Sequence, residues 1–134
     1  MEKNSFVFII LISFFTLLTS SSFAQQTYYK CIFDKGSTTN FDRSPSAKSV
    51  SDKLNIVFEN INYSKGIARQ VGENGSAEVS VVGGNTINFF ERTGSGNFTF
   101  TTIFRNSKSS YNAVHSRHID LFGAIVSQYY GICN

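Results

Sequence analysis

The chain has 134 residues and a formal net charge of +3, from 12 Lys and Arg against 9 Asp and Glu. Its cations are scattered, with no basic run interleaved with aromatics, so a nucleic-acid groove is not expected. Once an N-terminal export signal is set aside, about 110 residues remain, enough for one domain with one core.

That signal reads from the first residues. Lys3 precedes an apolar run from Phe6 to Leu18, too short for a membrane-spanning helix, and Ser22 and Ala24 are the small residues expected before cleavage after Ala24. A lipid anchor would need a cysteine directly after the cleavage point, and the nearest is Cys31. The expectation is a signal peptide over 1–24 and a single β domain over 25–134 without a membrane span, secreted or periplasmic.

The rest of the chain alternates short strand patterns with turn chemistry. Thr27 to Asp34 sets Tyr29, Cys31 and Phe33 against Tyr28, Lys30 and Ile32, which is the period of a strand. Lys35 to Asp52 is polar, carries the only proline, Pro45, and is expected to be a long loop. Lys53 to Ile61 places Leu54, Ile56 and Phe58 on one face of a half-buried strand. Gly66 to Val71 and Ser76 to Val82 flank Gly72-Glu73-Asn74-Gly75, where Asn-Gly supplies the positive φ angles of a tight hairpin, and Ala77, Val79 and Val81 share a face. Thr86 to Glu91 follows the turn Gly83-Gly84-Asn85. After Gly94-Ser95-Gly96-Asn97, the strand from Phe98 to Phe104 is expected to turn Phe98, Phe100 and Phe104 to the core and Thr99, Thr101 and Ile103 away from it. Tyr111 to Ile119 and Ile125 to Cys133 complete seven or eight strands, and Gly123 limits any helical character nearby to a single turn. The fold class is all-β: an antiparallel meander in a closed or partly open small barrel, with a small sandwich as the alternative.

Two cysteines, Cys31 and Cys133, lie in the first strand and the last element, which are neighbours in a closed barrel. A disulfide between them is expected in an exported protein. It would close a loop of about 100 residues, worth at most roughly 4.7 kcal/mol by the chain-entropy account.

Chemical potential concentrates in Val114-His115-Ser116-Arg117-His118-Ile119-Asp120. On a strand His115 shares a face with Arg117 while His118 shares the other with Asp120, so the two imidazoles point apart and no metal site is expected. Ser116 and Ser127 lack a Gly-x-Ser-x-Gly elbow, and the cysteines are committed to the disulfide. Glu59, Glu78 and Glu91 read as solvated strand carboxylates, and Gly83-Gly84 and Gly94-Ser95-Gly96 as hairpin turns without a following helix. Neither catalysis nor a cofactor is expected.

Ala113-Val114-His115-Ser116-Arg117-His118, followed by Ser127-Gln128-Tyr129-Tyr130-Gly131-Ile132-Cys133, resembles a group of small exported bacterial proteins that end in a similar pattern. Phe89 to Asn97 and Thr101-Thr102-Ile103 extend the likeness over roughly the last half. The resemblance implies bacterial export and supplies no activity. A second likeness, through Ser95-Gly96-Asn97-Phe98, is to the small β-barrel inhibitors of C-type lysozyme. This chain departs from them in having no tryptophan and in being basic, whereas steering toward a basic lysozyme favours a negative partner.

The function expected is therefore non-catalytic binding of a ligand or an envelope protein, with His115, Arg117, His118, Tyr129 and Tyr130 as the contact surface. Arg117 offers a fork to a carboxylate or phosphate, and both histidines are expected to strengthen such a contact below about pH 6.5. The alternatives are a lysozyme-inhibitor-like protein contact and a hydrolase or metal site around His115 and His118. A barrel of about eight strands either fills itself or holds one small ligand.

Overall fold

The computed structural model describes residues 28–41, 47–105, 109–120 and 123–134. The export signal expected over 1–24 lies outside the described residues. Among the described residues nine strands follow in chain order: β1 (Tyr29–Asn40), β2 (Ala47–Val50), β3 (Leu54–Asn62), β4 (Ile67–Gly72), β5 (Gly75–Val82), β6 (Thr86–Arg92), β7 (Phe98–Phe104), β8 (Tyr111–Asp120) and β9 (Ala124–Cys133). Every pairing is antiparallel, β1 pairs with both β2 and β3, each later strand pairs with the next, and β1 also pairs with β9. The meander thus closes into an eight-stranded barrel, with β2 added on β1 beyond the end of β3. Among the described residues there is no helix, and so none that could cross a membrane.

The segment expected as a loop from Lys35 to Asp52 is largely strand. β1 continues to Asn40, held by β9 along Lys35–Asn40 and by β2 along Gly36–Thr39. No apolar alternation announces this extension, because the stretch is built of Gly, Ser, Thr and Asn and faces a polar part of the interior. A bulge between Phe33 and Lys35 also shifts the phase. Before it Tyr29, Cys31 and Phe33 are inward and buried. After it the inward positions are Gly36 and Thr38, opposite Tyr129 and Ser127. A second bulge falls in β3, where Asn60 has φ +52° and the buried positions change from Ile56 and Phe58 to Ile61. Such bulges raise local twist and curvature, which closure of a sheet requires.

The β4–β5 hairpin forms where Asn-Gly marked it, with Gly72 paired to Gly75 across Glu73 and Asn74. Positive φ is confined there to Gly75 (+131°), so Asn74 does not take the left-handed role expected of it.

The interior is graded along the barrel axis. One row of facing residues runs Ile87, Ile103, Ala113, Gly131 and Phe33 from β6 round to β1. The next is Phe89, Thr101, His115, Tyr129 and Gly36, and the third is Glu91, Thr99, Arg117, Ser127 and Thr38. The first row belongs to an apolar half that also contains Tyr29, Phe58, Ile61, Ala68, Val79 and Val81. Phe58 and Phe89 stack there with ring centroids 3.8 Å apart.

On β7 the expected faces are reversed. Thr101 and Ile103 are buried inside, whereas Phe98, Phe100 and Phe104 lie on the outer face, and Phe104 is 39% exposed. The cause is volume. Phe33, Phe58, Phe89 and Tyr29 already fill the apolar half of a narrow barrel, so the Phe104 ring would overpack it, while Thr99 and Thr101 meet Arg117 and His115 in the polar half. The outer rings instead cover one another, with Phe90 4.6 Å from Phe100 and 6.1 Å from Phe98. Leu54, Ile56, Phe58, Ala77, Val79 and Val81 face inward as expected.

The seam between β1 and β9 carries the Cys31–Cys133 disulfide, with Cα atoms 4.0 Å apart. Lys30 and Asn134 exchange both backbone hydrogen bonds at 3.0 Å, which makes the adjacent Cys31–Cys133 the close, non-hydrogen-bonded type of pair that suits a cross-strand bridge. Gly131 is required beside it, because a Cβ there would overlap the Ile32 carbonyl.

Candidate functional site

The two ends of the barrel differ in kind. The termini of the seam, the disulfide and the 63–66 and 83–85 turns lie at the apolar end. The turns at 73–74 and 93–97 lie at the opposite end, where the interior is polar. There a cleft of about 290 Å³ opens, walled by Leu54, Ile56, Gln70 and Ala77 from β3, β4 and β5 and by Glu91, Thr99, His115 and Arg117 from β6, β7 and β8. This volume is at the small end of small-molecule sites, roughly 300–1,000 Å³.

His115 forms its deepest polar point. It is 2% exposed, lies between Phe33 and Tyr129 with ring centroids 5.7 and 6.2 Å away, and shares a 2.7 Å hydrogen bond between Nδ1 and Thr101 Oγ1. Burial, and then the guanidinium of Arg117 on the same face, lower its pKa to about 4. His115 is therefore a neutral imidazole near pH 7, and the expected gain of charge below about pH 6.5 does not hold for it.

Glu91 sits one row nearer the mouth. Its Oε2 accepts hydrogen bonds from Gln70 Nε2 and Thr99 Oγ1, both at 3.1 Å. The expectation of a solvated face for Glu91 is thereby corrected, since the structure places it inside. Strand parity carries the signal for this, because Glu91 continues the period of Ile87 and Phe89, both buried. Thr99 is paired with Glu91 on one side and with Arg117 on the other. Among the described residues the only ion pair is Arg69 with Glu59 at 3.5 Å, so Arg117 reaches the cleft without a carboxylate partner there.

The five expected contact residues divide by strand parity. His115, Arg117 and Tyr129 face the interior, where His115 and Arg117 line the cleft and Tyr129 packs over Gly36. His118 and Tyr130 face outward: the His118 and Phe98 rings meet edge-to-face with centroids 6.4 Å apart, and Tyr130, 46% exposed, donates to Gln128 Oε1 at 2.6 Å. They do not form one surface with the other three. His118 and Asp120 share the outer face without a described contact, and among the described residues no three His, Cys, Asp or Glu side chains are grouped to hold a metal. The Ser95-Gly96 turn joins β6 to β7 at the end where the cleft opens.

No buried side-chain nitrogen or oxygen among the described residues lacks a partner. The arrangement combines a fixed acceptor at Glu91, a guanidinium fork at Arg117, a neutral imidazole and an apolar wall, which can orient a small polar molecule by hydrogen bonds. No protein-family model matches the chain, and no curated protein or solved structure is significantly similar to it.

Proposed function

We propose that this is an exported, non-catalytic binding protein that holds a small polar ligand in the open end of its barrel. The observation that carries this reading is Arg117, a cation turned into the interior without a carboxylate partner among the described residues, beside a carboxylate already held by two other side chains. Since no buried side-chain nitrogen among the described residues is left without a partner, the half-buried Arg117 fork stands in solvent at the mouth, where it can take a carboxylate or phosphate. A purely structural residue at that position needs no charge. The disulfide supports an oxidising, extracytoplasmic setting, and the signal-like N-terminus supports export.

Native mass spectrometry of the protein recovered from the cells that make it tests this reading. A small retained mass is expected with the unaltered chain and with His118→Ala, whose side chain is on the outer face, and its loss is expected with Arg117→Gln. A retained macromolecular partner, or a small mass that Arg117→Gln keeps, would overturn it.

A further inference from the structure

Three charged side chains line the cleft: Glu73 in the β4–β5 turn at its rim, which accepts from Asn55 Nδ2 at 3.3 Å, and, deeper, Glu91 and Arg117, two groups of opposite sign that do not meet. Glu91, Thr99 and Arg117 face one another in a single row across β6, β7 and β8. Two strand spacings, about 9–10 Å, separate the Glu91 and Arg117 backbones. Thr99 stands between them and donates to Glu91 Oε2, as Gln70 does, so both donors hold the same oxygen. Glu91 Oε1 has no such bond among the described residues, and the Arg117 fork has no ion pair there. The wall from β3 to β5 carries the apolar side chains of Leu54, Ile56 and Ala77, with Gln70 among them already committed to Glu91.

From this juxtaposition we infer that the ligand is a small zwitterion of amino-acid size with an apolar side chain, its carboxylate on the Arg117 fork and its ammonium on Glu91 Oε1. The inference rests on the small-ligand reading above and narrows its chemical class. An anion alone would leave Glu91 facing the ligand as a like charge, and a cation alone would leave Arg117 in that position. A neutral sugar would use neither charge in full. A zwitterion meets both and adds no net charge to the interior. Its apolar side chain has a wall to lie against, and about 290 Å³ admits a single amino acid more readily than a longer peptide. His115, neutral near pH 7, adds no competing cation.

The probes are L-valine and its two halves, 3-methylbutanoate, which lacks the ammonium, and 2-methylpropylamine, which lacks the carboxylate. They are titrated into the isotope-labelled protein while the backbone amide resonances of β6 and β8 are followed. L-Valine is expected to bind at least tenfold more tightly than either half. Glu91→Gln should reduce L-valine to the level of 3-methylbutanoate, and Arg117→Gln should remove both, with thermal unfolding confirming that each variant is folded. His118→Ala should change nothing. Equal binding of 3-methylbutanoate and L-valine, unaltered by Glu91→Gln, would overturn the zwitterion and leave an anion site, so the parent reading would survive. Absence of binding by all three probes would also overturn the zwitterion; the retained mass in native spectrometry then decides the parent reading separately.

Discussion

Thr101 Oγ1 and His115 Nδ1 are 2.7 Å apart inside the barrel, at the boundary between its apolar and polar halves. The bond holds an imidazole that burial keeps neutral, and this has a consequence for stability. His115 titrates near 4 in the folded chain against about 6.5 when unfolded. Between those values the unfolded chain binds the extra proton, so stability is full above about pH 6.5 and falls as pH drops toward 4. The loss attributable to this group is on the order of 3 kcal/mol. Urea titrations at pH 7 and pH 4.5 should show it, and His115→Gln should flatten that part of the profile. An unchanged profile in the variant would assign the acid sensitivity to other groups.

The disulfide makes a second expectation. Free-thiol titration of the denatured, unreduced chain should find none. Replacing Cys31 and Cys133 together by alanine should lower stability in urea by up to roughly 4.7 kcal/mol, since the closed loop spans most of the barrel. Two reactive thiols would mean that the seam closes by hydrogen bonds alone.

Phenylalanines on the two faces should respond differently. Phe89 is 1% exposed and stacks on Phe58, so Phe89→Ala is expected to cost about 3–5 kcal/mol and Phe89→Asp to prevent folding. Phe100, half-buried on the outer face, should tolerate alanine at about 1–2 kcal/mol and accept aspartate with the fold retained. Circular dichroism melts of the four variants provide the comparison. A Phe100→Asp chain that fails to fold would return β7 to the opposite orientation.

Glycine matters at the seam. Gly131→Val would drive a side chain into the Ile32 carbonyl and is expected to cost about 2 kcal/mol or more. Gly94→Ala meets nothing within 4 Å and should change stability by less than about 0.5 kcal/mol. Equal melting temperatures for the two variants would show that β1 and β9 can separate locally without loss.

Much of the architecture is legible in the amino-acid sequence. Period-two alternation and glycine turns mark strands because a strand's side chains point alternately to two faces whatever its neighbours do. The same parity separates His115 and Arg117 from His118, and two cysteines at opposite ends of the strand series anticipate the seam. Alternation cannot say which face is inside. On β7 the more apolar face lies outside, because Ile103 and Thr101 have to meet Ile87 and His115 across fixed registers. Nor can local pattern show that Gly36 to Asn40 is strand, since it is held on one side by residues 125–129, far along the chain, and on the other by the short β2, and the bulge after Phe33 breaks the phase. Glu91 and Arg117 each have a readable parity. Their placement in one row across Thr99, beside a neutral His115, is a property of barrel closure and strand register, and only the tertiary structure decides it.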